Sequence, residues 1–282
     1  MIWTERAEND LTQSAKVNDD LERRIHLANV RVHRQEAAIY DSIHSEIFNK
    51  REQKRIREVL IRVDQLIDYN GKLALDFGAG TGNLTGKLLD LGYEVTAVDI
   101  SKEMCDILRK KYEVLRAMGK LKVINAHEHD LQFEKQFDLV SCYSVLHHLP
   151  NYVDVVARLT ACVKTGGVVY LDHEMSPLYW STRQAFRKIR WLSHKSDTLL
   201  TYAHNSLTGK SAPSLDYRLA DYWVTEEHHI SHDKIYALFQ KQGFRYFVRE
   251  DYALQHTWIF NPISGVFRLI LGPDVSLWIA KK

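Results

Sequence analysis

Short apolar runs alternate with segments of helical spacing through the middle of the chain. Between the first two runs, Leu84, Leu88 and Leu89 recur at helical spacing. Such alternation predicts a parallel sheet with right-handed crossovers and helices on both faces. The runs read as strands at residues 73–77, 94–100, 121–125, 137–143 and 167–171, followed by two more at residues 244–250 and 275–280. The pattern therefore predicts an α/β fold with a seven-stranded sheet.

The segments around these strands follow other patterns. Residues 4–38 carry apolar positions at three- or four-residue steps with one longer gap, and residues 50–68 have a second apolar face at helical spacing. Ser231 opens a further predicted helix over residues 232–242. The chain thus divides into a helical cap at residues 1–70, a core at residues 71–175, an inserted segment at residues 176–231, and a helix with closing strands at residues 232–282.

A glycine loop follows the first strand. The strand ends in Asp76, and Gly78, Gly80 and Gly82 stand at every second position after it. Glycines at such a turn let backbone N–H groups approach a ligand closely, because no Cβ intrudes. A dinucleotide loop would carry its third glycine one place later, where Asn83 stands here. The spacing therefore departs from that of dinucleotide enzymes.

Asp99 ends the second strand, 21 residues after Gly78. A carboxylate at this place can accept hydrogen bonds from both hydroxyl groups of a ribose. The competing interpretation is helix capping, since residues 101–104 look like the start of a helix.

Several segments together resemble the class I S-adenosylmethionine (SAM) methyltransferases. Residues 76–82 resemble motif I of that family. Residues 144–150, Ser-Val-Leu-His-His-Leu-Pro, resemble the segment after strand four that lies against the methionine and adenine parts of SAM. Tyr40-Asp41 resembles a pair whose tyrosine helps close the cofactor pocket. Residues 127–131 resemble the segment whose acid faces the adenine amino group, and that acid would be Asp130 here.

The resemblance covers roughly residues 36–175 and implies a Rossmann-like class I methyltransferase sheet. Its seventh strand would be antiparallel beside the sixth, with a helical cap before the sheet and an acceptor-side insertion after the fifth strand. It implies SAM as cofactor and S-adenosyl-L-homocysteine as product, held at the carboxyl ends of the strands. The implied cofactor contacts are Tyr40, Asp76, Gly78, Ala79, Gly80, Gly82, Asp99, Ile100, Met104, Asp130, Leu131, Tyr143 and His147.

The resemblance also implies methyl transfer to a small-molecule or lipid-like acceptor, at oxygen or nitrogen. Such an acceptor releases a proton that a histidine or carboxylate can take, whereas carbon and sulfur acceptors need no base. His173 is the first candidate for the proton acceptor and His148 the second. Glu174 at the end of the fifth strand, and His228 and His229 in the insertion, are further candidates.

Aromatic residues after the core suggest where an acceptor would lie. Trp180, Trp191, Trp223 and Trp258 either line an apolar acceptor pocket or are plain core residues. Residues 258–271 are notably apolar, and either cover a greasy acceptor or form the contact of a homodimer.

Other functions stay open from the sequence. A NAD-type oxidoreductase would use a similar sheet, but the glycine spacing and the segment at residues 144–150 argue against it. A protein that binds SAM without catalysis would keep the same motifs. A nucleic-acid methyltransferase would need a basic groove or a base-clamping motif. The chain has 38 basic and 36 acidic residues and no such motif, so no nucleic-acid partner is expected.

The remaining composition predicts a cytoplasmic protein. No apolar stretch reaches roughly 18 residues, and the N-terminus has no signal-peptide apolar region. The three cysteines form no Cys-x-x-Cys pair and read as core residues in a reducing compartment. The 14 histidines include close pairs, but none joins a cysteine or carboxylate pattern of recognised metal spacing. No metal site is therefore expected.

Overall fold

The computed structural model describes residues 19–68, 71–176, 217–225, 230–253, 273 and 275–282. In this part of the chain, the strands are β1 (Leu73–Phe77), β2 (Glu94–Asp99), β3 (Leu121–Asn125), β4 (Phe137–Tyr143), β5 (Val163–Met175), β6 (Tyr246–Tyr252) and β7 (Val275–Lys281). They form one seven-stranded sheet in the order β3-β2-β1-β4-β5-β7-β6.

The sheet confirms the predicted Rossmann-like topology. Strands β1 to β5 pair in parallel, while β7 is antiparallel to both β5 and β6. Alternate residues of β4 face opposite layers, because successive side chains in a strand point to opposite faces. Val140 and Cys142 pack in one buried cluster, and Leu139 and Tyr143 pack in the other. The central strands are therefore covered on both faces.

The helices of the described residues surround this sheet. They are α1 (Asp19–Glu36), α2 (Tyr40–Ile43), α3 (Ser45–Phe48), α4 (Lys50–Gln65), α5 (Asn83–Asp90), α6 (Lys102–Lys111), α7 (Glu113–Ala117), α8 (Tyr152–Ala161), α9 (Tyr217–Ala220), α10 (Tyr222–Thr225) and α11 (His232–Lys241). Short 3-10 turns occupy Glu128–Asp130 and Leu146–His148. No described helix combines the length and the apolar character needed to cross a bilayer.

Local capping chemistry sets several helix starts. The Asn49 side chain accepts hydrogen bonds from the N–H groups of Arg51 and Glu52 at the start of α4. The Ser231 side chain accepts from Lys234 N at the start of α11, where the sequence predicts a helix start. Of the predicted helix at residues 4–38, Asp19–Glu36 is helical as α1, and residues 4–18 lie outside the described part.

Strand β5 is longer than the predicted strand at residues 167–171. It runs to Met175, because Glu174 and Met175 pair with Ser276 and Val275 of β7. The pairing register shifts between Leu171 and Glu174, and His173 has a φ of 65° at this irregularity. Residues predicted to follow the strand therefore lie within it, where β7 covers them.

Helix α1 forms a cap on the sheet. Its residues Ala28 and Val32 pack with Ala220 of α9 in a small buried cluster. The side chain of Asn29 donates a hydrogen bond to the carbonyl of His148, 3.3 Å away, in the loop after β4. The cap is thus tied to the carboxyl-end edge of the sheet.

Candidate active site

A cavity opens at the carboxyl ends of β1, β2 and β4, and α1 closes it from above. Carboxyl ends of parallel strands are where ligands bind in open α/β sheets. The cavity is lined by Glu22, Ile25, His26, Asn29, His33, Tyr40, Phe77, Gly78, Gly80, Val98, Asp99, Ile100, Met104, Ala126, His127, Glu128, Tyr143, Ser144, Val145, His148, Leu149 and Pro150. The tertiary fold therefore brings together much of the set expected at the cofactor.

Glycine occupies the three loop positions for different structural reasons. A Cβ at Gly82 would lie 2.3 Å from a methyl carbon of Leu108, and a Cβ at Gly78 would lie 2.2 Å from a methyl carbon of Val145. A Cβ at Gly80 would meet no atom within 4 Å. Packing inside the protein thus requires glycine at positions 78 and 82, whereas Gly80 leaves open space at the cavity wall.

Two acids at the strand ends are placed differently. The carboxylate of Asp99 lines the cavity and accepts hydrogen bonds from the N–H groups of Gly80 and Ser101, both at 2.8 Å. Burial raises its pKa. Asp76 lies beneath the loop, where the hydroxyl groups of Thr85 and Ser141 donate to it at 2.6 and 3.2 Å. Burial raises the pKa of Asp76 to about 6. Asp76 thus joins the end of β1 to α5 and β4, and it does not line the cavity.

Tyr40, Tyr143, Ile100 and Met104 line the cavity, as the resemblance implies. The ring of Tyr40 packs against His44 with centroids 4.2 Å apart, and burial raises the pKa of its hydroxyl.

The other expected cofactor contacts lie outside the cavity lining. Asp130 is exposed, and its carboxylate accepts the N–H of His127 at 3.2 Å, so that it caps the 3-10 turn. Leu131 packs against the core, and Ala79 is buried with its N–H donated to the carbonyl of Val98. Glu128, which sequence reasoning missed, lines the cavity. Its place in the turn that follows β3 was the available signal.

His147 lies beside the cavity and is held by Glu174. The buried carboxylate of Glu174 accepts the N–H groups of Val145, Leu146 and His147 at 2.9, 2.7 and 3.1 Å. It also lies 2.9 Å from Nδ1 of His147. Burial lowers the pKa of His147, but the charge of Glu174 and this hydrogen bond outweigh burial, so the pKa is raised. Glu174 therefore fixes both the backbone at residues 145–147 and the orientation of the His147 ring.

His148 lines the cavity, and its pKa is shifted in the opposite direction from that of His147. Its Nδ1 lies 2.8 Å from the carbonyl oxygen of Ala220 and 3.3 Å from a carboxylate oxygen of Asp221. Burial, and next the neighbouring His147, lower the pKa of His148 to about 4. His33 of α1 packs edge-on against it, and burial lowers the pKa of His33 to about 3. These rings are therefore neutral near pH 7.

His173 does not line the cavity. It lies behind Tyr143, with Nδ1 3.0 Å from the Tyr143 hydroxyl and 3.8 Å from Glu52. Close by, Arg55 donates to Asp172 at 2.7 Å and forms an ion pair with Glu52. The group first expected to take a proton is therefore part of a buried network under the cavity wall.

Several acceptor-side expectations concern other parts of the chain. His228, His229, Trp180, Trp191, Trp258 and residues 258–271 lie outside the described residues. Trp223 is described: its indole N–H donates to the carbonyl of Leu149 at 2.7 Å, and its ring packs edge-on against Tyr152. Its described contacts are those of a packing residue.

Within the described residues, two groups of side chains have spacing that could hold a metal ion. One group is His127, Glu128 and His129, and the other is His147, His148 and Asp221. In each group one possible ligand atom per residue lies within 4.8 Å of the others.

Comparisons with known proteins show which family and which relatives the chain resembles. Residues 75–171 match the family model described as "Methyltransferase domain". The "Ubiquinone biosynthesis O-methyltransferase" of Dechloromonas aromatica is 33% identical over 112 residues, which are 39% of this chain and 47% of that protein. Its counterpart in Aeromonas salmonicida is 29% identical over 116 residues, 40% of this chain and 49% of that protein. The chain thus spans about half the length of the curated relatives it matches.

The fold also matches a solved structure. An S-adenosylmethionine-dependent methyltransferase from Mesorhizobium loti superimposes with a TM-score of 0.52 at 16% identity, covering 85% of this chain and 99% of that one. At this identity the likeness concerns the fold. The sheet order and the domain match agree on a class I methyltransferase fold.

Proposed function

We propose that this chain, whose residues 75–171 belong to the methyltransferase domain family, transfers a methyl group from SAM to a small-molecule acceptor. The observation that carries the proposal is the cavity wall formed by Gly80 and Asp99. A side chain at Gly80 would occupy space that no protein atom fills, and the Asp99 carboxylate stands next to it. A glycine loop beside an acid at the end of the second strand suits a nucleoside with two ribose hydroxyl groups.

The proposed cofactor contacts follow from the cavity lining. The Asp99 carboxylate would accept hydrogen bonds from the ribose hydroxyls. The apolar side chains of Ile100 and Met104 would lie along the adenine. Tyr40 and Tyr143 would enclose the methionine part. Asp130 and Leu131 do not belong to this set, because one caps an exposed turn and the other packs in the core.

Asp76, Ala79 and Gly82 act in our proposal through the loop rather than by direct contact. Each is buried or packed within the protein, and together they hold Gly80 at the cavity wall. We do not propose His147 as a cofactor contact either, because the hydrogen bond between its ring and Glu174 suits a different role.

We propose His147 as the proton acceptor. When bound, SAM supplies a methyl group on a positively charged sulfur, so the residues of the chain need to position the acceptor, exclude water and remove its proton. Glu174 fixes Nδ1 of His147 as a hydrogen-bond donor, which leaves the lone pair on Nε2. The same carboxylate would stabilise the imidazolium that forms. His148 is a weaker base because of its low pKa, and His173 lies behind Tyr143.

Two observations suggest the chemical class of the acceptor. A histidine base is useful for an oxygen or nitrogen acceptor, and the relatives are named O-methyltransferases. We therefore propose a hydroxyl group on a small molecule. The division into a cap, a core and an acceptor-side insertion at residues 176–231 belongs to the same proposal.

Labelled SAM tests the function. The full chain is incubated with methyl-labelled SAM and an extract of host cells, and products are separated into organic, aqueous and macromolecular fractions. Asp99→Ala is the control. Label in one small-molecule fraction with the intact chain alone would support the proposal.

The other functions have distinct outcomes when the labelling is combined with titrations of the protein with SAM and with NAD. SAM binding without any transferred label would favour a non-catalytic SAM-binding protein. Label confined to the macromolecular fraction would contradict the small-molecule proposal. Binding of NAD in place of SAM would favour the oxidoreductase.

A further inference from the structure

Histidines and carboxylates from two distant parts of the chain meet at the contact between α1 and the turn after β3. His127, Glu128 and His129 follow β3, and Glu22 and His26 lie one turn apart on α1. Nε2 of His129 is 3.4 Å from a carboxylate oxygen of Glu22, although the residues are 107 positions apart. The ring centroids of His26 and His127 are 4.5 Å apart.

The distances between the donor atoms suit one metal ion. Nδ1 of His127 is 2.9 Å from one oxygen of Glu128, and Nε2 of His129 is 3.9 Å from the other. In a tetrahedral zinc site with bonds of about 2.1 Å, neighbouring ligand atoms are roughly 3.4 Å apart. One donor atom each from His127, Glu128 and His129 lie within 4.8 Å of one another, and a carboxylate oxygen of Glu22 lies 3.4 Å from Nε2 of His129.

The polar groups at this contact differ in their other partners: Nδ1 of His127 accepts the N–H of His129 at 3.3 Å, a hydrogen bond that a metal ion on Nδ1 would replace. Nδ1 of His26 is buried and has no hydrogen-bond partner within the part of the chain that the structure describes. Glu128 is only 7% exposed, and in the same part of the chain its ion-pair partners are histidines, with no lysine or arginine among them. Buried charges need a counter-charge, which here is either a proton on a ring or a metal ion.

We propose that His127, Glu128 and His129 bind a divalent transition-metal ion, with Glu22 and His26 of α1 as neighbouring donors. Imidazole and carboxylate ligands match zinc best among the common ions. The ion would join the cap helix to the edge of the sheet, above the cavity that Glu22, His26, His127 and Glu128 line. This site is separate from the proposed base and does not depend on methyl transfer.

Zinc titration tests the site directly. Untagged full-length protein is treated with a chelator, dialysed, and titrated with zinc chloride by calorimetry, with bound zinc counted by mass spectrometry. One zinc ion per chain and a higher melting temperature in its presence are expected, because a ligand that binds only the folded state stabilises it. Absence of stoichiometric zinc binding would overturn the proposal.

Matched variants locate the ion. The double variant Glu22→Gln/His129→Asn removes one ligand and the neighbouring carboxylate on α1. His129→Asn alone removes a side chain that is 54% exposed, so folding should be preserved. Both are expected to weaken zinc binding at least about tenfold. Asp221→Asn, in the second histidine group, is the control and should leave zinc binding unchanged. Zinc binding that is lost in the control and kept in the other variants would place the ion elsewhere.

Discussion

The glycine-loop side of the cavity and its histidine side are built in different ways. On the first side the contacts are short in sequence: Gly80 donates to Asp99, 19 residues away, and Thr85 donates to Asp76, nine residues away. On the second side they are long. Glu174 accepts a hydrogen bond from the N–H of Val145, 29 residues away, and Asn29 donates one to the carbonyl of His148, 119 residues away. The first side is therefore readable as a motif, while the second exists only once the sheet has formed.

This contrast has a consequence for function. In the proposed function the motif side would set which cofactor fits, because the loop glycines and the acid at the end of β2 would contact a nucleoside. The long-range side would set which histidine can act as a base, because Glu174, Ala220 and Tyr143 give three nearby rings three different environments. Substitutions on the glycine-loop side should therefore change the affinity for SAM, and substitutions on the histidine side should change kcat.

The largest expected effect is at His147. His147→Asn keeps a donor for Glu174 and removes the basic Nε2, so kcat should fall by about 10²–10⁴-fold with little change in SAM affinity. His148→Asn and His173→Asn should lower kcat by less than about tenfold, because neither removes the proposed proton acceptor. Steady-state kinetics with the identified acceptor makes the comparison. A larger loss in His173→Asn than in His147→Asn would restore His173 as the base.

The next effect is on cofactor affinity. Asp99→Asn removes a charged acceptor worth about 1.5–3 kcal/mol, so the dissociation constant for SAM should rise by about 10–100-fold. Asp130→Asn is the matched control and should bind SAM like the unaltered protein, since Asp130 is exposed and caps a turn. Calorimetric titration with SAM measures both. Equal losses in the two variants would return Asp130 to the cofactor site.

Two glycine substitutions separate packing from ligand contact. Gly82→Ala should lower the free energy of unfolding by about 1–3 kcal/mol, because φ is 91° and the new Cβ would lie 2.3 Å from Leu108. Gly80→Ala meets no protein atom within 4 Å and should cost only about 1 kcal/mol for its left-handed backbone, while weakening SAM binding. Urea unfolding and SAM titration distinguish the two effects. Unchanged SAM affinity in Gly80→Ala would mean that this wall is not the cofactor site.

The smallest effect is a shift in the pH profile. Only the neutral ring of His147 can accept a proton, so kcat should rise as pH rises through its pKa, which lies above 6.5. Glu174→Gln removes the charge that raises this pKa, so the inflection should move to lower pH. His147→Asn should abolish the inflection and serves where Glu174→Gln is too unstable to assay. An unchanged inflection in both variants would assign it to another group.

Much of the fold and of the cofactor side could be predicted from sequence. Apolar runs such as residues 137–143 and the helix start at Ser231 depend on local pattern and on capping, and the structure confirms both. The extent of β5 could not be predicted, because its pairing with β7 involves residues about 100 positions away. The expectation for Asp130 depended on the direction in which a short 3-10 turn points, which no periodicity reports.

The sequence by itself determined the seven-stranded α/β plan, the glycine loop and the acid beside it, because strand periodicity, turn chemistry and the order of elements are local properties of the chain. Only the tertiary structure decided which histidine is paired with Glu174, that Asp76 joins β1 to α5 and β4, and that Glu22 and His26 meet His129 and His127. Protonation and ligation depend on burial and on charges within a few ångströms, and those neighbours come from parts of the chain that only folding brings together.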